Sequence, residues 1–237
     1  MASPLAGSVV LVTGASRGLG FAAAVELARL GAHLVLTART QGGLEEADDA
    51  IRQIGGQATL LPLDLKDGEA IDAIGPSLFE RFRRLDILVH NAGALGRLTP
   101  VSHILPGDWE QALAVNFAAA WRLIRTCAPL LHVAPAGRAV FVTCGRARDP
   151  LAYWGLFGAT KAALEHLVLA WAQEVRTSRV RVNLFDPGIV ATRLRREAMP
   201  GEDASALARP GAVAPALAAL CLPGETRHGE LVRFEGR

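Results

Sequence analysis

The chain has 237 residues, 25 basic and 23 acidic side chains, a formal net charge of +2 and a hydrophobic fraction of 51%. That apolar content excludes a disordered chain, and the length allows one domain or two small ones. A charge so close to zero, with no Lys/Arg run that resembles a binding tail, gives no ground for nucleic-acid binding. No apolar stretch approaches the ~18–20 residues of a membrane span; the longest, residues 214–222, contains Pro215. Met1-Ala2-Ser3-Pro4 lacks the basic and apolar regions of a signal peptide. Cys127, Cys144 and Cys221 are odd in number and far apart, and the histidines show no metal spacing. The expectation is a reduced, cytoplasmic protein with no metal and no membrane contact. Two of the 25 basic residues are lysines, Lys66 and Lys161, and Tyr153 is the one tyrosine.

Short Val-, Leu- and Ile-rich runs alternate with helical stretches along the chain. The expected strands are 9–13, 33–38, 58–61, 87–90, 139–143, 180–185 and, last, 230–234. The expected helices are 18–29, 43–54, 69–82, 108–130 and 160–176. This alternation predicts an α/β fold, a doubly wound parallel sheet with helices on both faces and right-handed connections. No repeat, linker or composition shift marks a boundary, so residues 1–237 are expected to form one domain. In the last long helix Leu164, Leu167, Val168 and Trp171 form a stripe at helical spacing, suited to sheet-facing core or to a subunit interface. His90 and His166 sit among apolar neighbours in sequence and read as core or interface residues.

The first strand runs into Thr13-Gly14-Ala15-Ser16-Arg17-Gly18-Leu19-Gly20, and the first helix follows. Glycines at this place let a diphosphate approach the backbone, and the helix N-terminus supplies free N–H groups. A strand before and a helix after make the triplet more specific than glycines alone. The second strand ends at Arg39-Thr40, with no Asp or Glu between residues 32 and 44. An acid there would hold the ribose 2′-hydroxyl of NAD, whereas an arginine suits the 2′-phosphate of NADP. Arg39, backed by Arg17, therefore argues for NADP(H) over NAD(H).

With these residues the chain resembles the short-chain dehydrogenase/reductase family, over nearly its whole length. Asp64-Leu65 after the third strand resembles the family's adenine-contacting segment, although Asp64 also suits a helix cap. Asn91-Ala92-Gly93 after the fourth resembles the Asn-Ala-Gly turn. Asn116 matches the active-site asparagine. Pro187-Gly188, followed by Ile189 and Thr192, resembles the segment that lines the nicotinamide. The resemblance implies a Rossmann sheet of about seven strands, a small bacterial member with a short substrate lobe near 192–209, and a homodimer or homotetramer formed through the two long helices. It also implies hydride transfer between NADP(H) and a carbonyl or alcohol substrate.

The resemblance further implies a catalytic tyrosine four residues before Lys161 and a serine at the end of the fifth strand. The position four before Lys161 is Phe157, and the serine position is Cys144. An ammonium near a phenol lowers its pKa, and a spacing of four puts both on one helix face. Phenylalanine has no proton to give, and a thiol is a weak donor. Asn116 and Lys161 remain, and the resemblance also gives Lys161 a contact with the nicotinamide ribose. Tyr153, two helical turns before Lys161, is either a substitute phenol or a packing aromatic beside Trp154. Cys144 has no nearby histidine and reads as structural more readily than nucleophilic. Arg146 and Arg148, and more weakly the Thr192-Arg193-Leu194-Arg195-Arg196 run, suit an anionic substrate or a solvated surface. Two functions fit the sequence. One is an NADP(H) oxidoreductase with an altered acid/base; the other is a catalytically silent NADP(H)-binding sensor, scaffold or partner subunit.

Overall fold

The computed structural model describes residues 3–236, so Met1, Ala2 and Arg237 of the expected domain lie outside the described residues. Its centre is a seven-stranded parallel sheet in the order β3-β2-β1-β4-β5-β6-β7. The strands are β1 (Val9–Thr13), β2 (His33–Ala38), β3 (Gln57–Pro62), β4 (Ile87–His90), β5 (Arg138–Val142), β6 (Arg181–Asp186) and β7 (Leu231–Arg233). Three of them carry the bounds expected from sequence, and the other four differ by one residue at either end. Order reverses between β1 and β4, the place where doubly wound sheets bind ligands beyond their carboxyl ends.

The apolar runs are continuous because the sheet is covered on both faces. Val10 and Val12 of β1 face α1 (Gly18–Arg29), α2 (Gln41–Gln53) and α9 (Pro210–Ala219). Their neighbours Val9 and Leu11 face the opposite layer. That layer contains α4 (Ile74–Phe82), α6 (Ala119–Val133) and α7 (Gly155–Glu174). Leu164, Val168 and Trp171 are buried there, which makes their stripe sheet-facing core. His90 is fully buried, but His166 is exposed, so its apolar sequence neighbours did not describe its surroundings.

The helices depart from expectation in four places. The run 69–82 is two helices, α3 (Gly68–Asp72) and α4, joined at Ala73. Pro76 explains the break, since it has no N–H for Asp72 O; Thr126 of α6 takes its place, its Oγ1 donating to Asp72 O (2.8 Å) and accepting the Gly75 N–H (3.1 Å). A Cβ on Gly75 would lie 2.3 Å from Thr126 O, so only glycine lets the helices come this close. The run 108–130 is α5 (Pro106–Leu113), a π turn over Ala114–Ala118, and α6. Helix α7 begins at Gly155, five residues before its expected start. Helices α8 (Arg193–Ala198) and α9 were not expected from the periodicity. Among the described residues, no helix is long and apolar enough to cross a membrane.

Candidate active-site cleft

A cleft of about 750 Å³ opens at the carboxyl ends of the strands. Its wall includes Gly14, Ser16, Arg17, Gly18, Leu19, Arg39, Thr40, Asp64, Leu65, Asn91, Ala92, Gly93, Lys161, Pro187, Gly188, Ile189 and Thr192. All the expected cofactor residues thus meet in one place except Gly20, which is buried beneath the loop. A Cβ at Gly20 would fall 2.3 Å from Gly14 O and 2.4 Å from Asn91 Nδ2, so this glycine sets the packing of the turn.

The turn is braced from behind. Asn91 Nδ2 donates to Thr13 O (3.2 Å) and Gly14 O (3.3 Å). The N–H groups of Asn91 and Ala92 donate to Thr13 Oγ1, each at 3.1 Å. His90 Nδ1 stands 3.0 Å from the same hydroxyl. Burial, and then the charge of Lys161, lower the His90 pKa to about 3, so this imidazole is neutral. Asn91 therefore holds the glycine loop as well as lining the cleft. Helix α1 begins without a side-chain cap or an acid in its first turn, which leaves its N–H groups and dipole free for an anion.

Arg17, Arg39 and Thr40 are exposed on the rim beside this helix end. Asp64 folds into a local turn, accepting the Lys66 N–H at 3.0 Å. The helix cap that it might have provided belongs to Asp67, whose Oδ1 accepts the Ala70 N–H.

At the other end of the cleft stand Cys144, Phe157 and Lys161. Helix α7 puts Phe157 and Lys161 on one face, with Nζ 5.9 Å from the ring centroid. Lys161 is buried and its Nζ donates to Val142 O at 2.9 Å. Burial lowers its pKa from 10.5 to about 8, while Cys144 and Glu165 act in the opposite direction. Burial pushes the Cys144 thiol above its ordinary value, against Lys161, which lowers it. That is the wrong direction for a nucleophile. Thr143 cannot replace the missing serine, because its Oγ1 donates to Glu165 Oε1 at 2.5 Å.

Asn116 lies in the π turn and is fully buried. Its Oδ1 accepts the Ala94 N–H (2.7 Å), and its Nδ2 donates to Ala94 O (2.8 Å) and Thr160 Oγ1 (2.9 Å). Thr160 in turn donates to Phe157 O. Asn116 thus ties the segment following Gly93 to α7 and does not itself line the cleft wall. A π turn is a common device for aiming such a side chain.

Three expectations are corrected. Tyr153 does not join Lys161: it is 58% exposed, outside the helix and absent from the cleft wall. Its φ of +72° sets it in the left-handed region, and its carbonyl accepts the Thr99 N–H. Helix α7 starting at Gly155 leaves no turn on which Tyr153 could share the Phe157 face. Second, Arg146 pairs with Asp149 at 2.9 Å, and Arg148 pairs with Glu165 and Asp186. Third, Arg193 pairs with Glu197 at 2.6 Å, and Arg195 makes two 2.6 Å bonds to Glu202. Four of the five arginines proposed for an anionic substrate are therefore paired with acids within the chain, and Arg196 is exposed.

Around Phe157 the wall is apolar. Leu95, Trp154, Phe157 and Ala198 pack together, with Leu98, Cys144 and Leu194 against them. The Trp154 and Phe157 rings meet edge to face at 6.1 Å. The sequence reading missed Trp154, Leu95 and Leu194 as cleft residues, and it missed Glu165 and Asp186. An acid inside the apolar stripe of α7 was the available signal for Glu165.

The family model for short chain dehydrogenase matches residues 8–203. The chain therefore belongs to the short chain dehydrogenase family. It is 35% identical over 210 residues to the oxidoreductase YciK of Escherichia coli (strain K12), covering 87% of this chain and 83% of that one. Among solved structures it is similar to a short chain dehydrogenase of Escherichia coli CFT073 complexed with NADPH (TM-score 0.94, 32% identity, all of both chains covered at 100%). It is also similar to one from Shigella flexneri 2a complexed with NADP (TM-score 0.93, 32% identity, 98% of this chain and 99% of that chain).

Proposed function

We propose that this chain is an NADP(H)-dependent oxidoreductase acting on an uncharged, apolar carbonyl or alcohol substrate, with a weakened proton-transfer station. The observation that carries it is the single cleft that joins the glycine cradle and Arg39 to Lys161. The cradle suits a dinucleotide: a close-packed glycine turn, an uncapped helix N-terminus and no acid at the end of β2. Solved relatives in complex with NADP and NADPH support the same reading.

In this reading Gly14, Ser16, Gly18 and Leu19 hold the diphosphate with backbone and hydroxyl groups. Arg17 and Arg39 hold the 2′-phosphate, and Asp64-Leu65 border the adenine. Lys161 holds the nicotinamide ribose, and Pro187-Gly188-Ile189 and Thr192 flank the nicotinamide. The bound cofactor would supply or accept the hydride. Residues 192–209, with α8, form the substrate lobe of a single domain, and the apolar wall around Trp154 excludes water from the substrate. Phe157 offers no proton, and Cys144 holds its own tightly. Lys161 is the side chain at this end that is half-protonated near pH 8, so its Nζ is the proton source.

A buried phenylalanine in place of the phenol favours a second reading, a silent NADP(H)-binding protein acting as sensor, scaffold or partner subunit. Fluorescence titration with NADPH, followed by NADPH oxidation in the presence of aromatic and long-chain ketones, separates the two. Binding with slow turnover supports the first reading. Binding without turnover leaves the second, and no binding refutes both.

A further inference from the structure

Behind the cleft lies a charged knot that the reading above does not use. Glu165 and Asp186 keep only 8% and 5% of their surface exposed, deep enough that each carboxylate requires a partner. One guanidinium serves both: Arg148 Nη1 donates to Glu165 Oε1, and Nη2 donates to Asp186 Oδ2 at 2.5 Å. Thr143 Oγ1 adds a bond to the same Glu165 oxygen. Asp186 Oδ1, the free oxygen of its carboxylate, accepts the Gly188 N–H at 3.1 Å.

Each partner is joined to a different segment of the cleft wall. Arg148 follows the short helical turn Gly145–Ala147, directly after Cys144. Glu165 sits one turn beyond Lys161 on α7, on the same face. Asp186 ends β6 and leads into Pro187-Gly188. Arg148 itself lines a smaller adjoining recess that shares Gly145, Asp186 and Gly188 with the cleft and adds Asp149, Arg233 and Phe234. It holds the cleft segments from this recess and is not part of the cleft wall.

We propose that Arg148 is a positioning residue for the nicotinamide half of the cleft, fixing the Cys144 loop, the Lys161 turn and the Pro187-Gly188 turn relative to one another. This role rests on the NADP(H) reading. The planar fork of arginine is suited to it, since its two nitrogens address two acids at once and a lysine ammonium cannot match that geometry. The adenine half, built on Arg17, Arg39 and Asp64, lies on the other side of the sheet's switch point and is not connected to the knot.

The test compares two ligands. NADPH occupies both halves, whereas adenosine 2′,5′-bisphosphate occupies the adenine half alone. Affinities for both are measured for wild type, Arg148→Met, Arg148→Lys and Asp186→Asn. Arg148→Met should weaken NADPH by about tenfold or more and leave adenosine 2′,5′-bisphosphate within about twofold. Arg148→Lys should fail to restore NADPH affinity. Asp186→Asn retains shape and the bond from Gly188, so a smaller, equally selective loss is expected; it carries the test alone if Arg148→Met does not fold. Equal losses of both ligands, or no loss of either, would overturn the positioning role. A wild-type chain that binds neither ligand overturns the cofactor reading, and this role with it.

Discussion

Phe157→Tyr is the most direct perturbation of the proposed site. The ring already lines the cleft one helical turn before Lys161, with Nζ 5.9 Å from its centroid. A phenol at this place gains an acidic hydrogen beside an ammonium, which lowers its pKa from an ordinary value of ~10. A positioned acid/base contributes about 10²–10⁴-fold, or roughly 3–5 kcal/mol of barrier. The added hydroxyl enters an apolar wall and costs about 1–3 kcal/mol of stability while it lacks a partner. The expected outcome is a rise of about 10²-fold or more in kcat for ketone reduction at neutral pH, with a slightly lower Tm. Phe157→Leu is the control: it opens the wall without supplying a proton and should not accelerate turnover. The measurement is steady-state NADPH oxidation, with NADPH affinity determined separately. Undiminished NADPH affinity with no gain in kcat would refute the view that Phe157 occupies the acid/base position.

Four further outcomes are expected. In the wild-type chain, reduction should slow as pH rises through about 8, because Lys161 progressively loses its proton there; a rate flat from pH 7 to 10 would exclude it as the proton source. Gly20→Ala should abolish NADPH binding or prevent folding, since the new methyl would meet Gly14 O at 2.3 Å; normal titration would contradict the close-packed turn. Arg39→Ala should lower the preference for NADPH over NADH by about tenfold, on the order of 1.4 kcal/mol for one charge-assisted contact; an unchanged ratio in paired titrations would remove Arg39 from the 2′-phosphate. The folded pKa of His90 lies below its unfolded value, so its contribution is neutral above pH 6.5 and destabilising as pH falls from 6.5 toward 3. At the lower limit this amounts to on the order of 4 kcal/mol, and urea denaturation of wild type and His90→Asn at pH 7 and pH 4 should show the gap narrowing for the variant.

The strands were legible because burial on both faces leaves an uninterrupted apolar run, as in Val9–Thr13 and Ile87–His90. The glycine loop and Arg39 were legible because they are local in sequence. Contacts between distant residues were not. Gly75-Pro76 announces a break within residues 69–82, but not the hydroxyl of Thr126 that takes up Asp72 O from 54 positions away. Arg148 reads as a free cation until Glu165 and Asp186, 17 and 38 positions away, are seen beside it. The early start of α7 was hidden by Gly155, a poor helix former placed where tertiary packing against Val101 decides the conformation. Tyr153 illustrates the limit of spacing arguments: eight residues from Lys161 is two helical turns only if the helix extends that far.

The π turn at Ala114–Ala118 also makes chain length itself a constraint in this region. It accommodates one residue more than the α-helix that it interrupts. Deleting a residue there would restore a regular helix, keep the facing of α6 relative to α5 and withdraw the bulge that aims Asn116. Leu123 and Cys127 would stay against the sheet and Arg122 beside Asp72, whereas Asn116 would lose its bonds to Ala94 and Thr160. Substitutions along this stretch alter one side chain at a time, whereas a single deletion would re-aim the whole turn that carries Asn116 and leave α6 as it is. A related sequence that keeps the Asn116 tie is therefore expected to keep the five-residue turn that aims it.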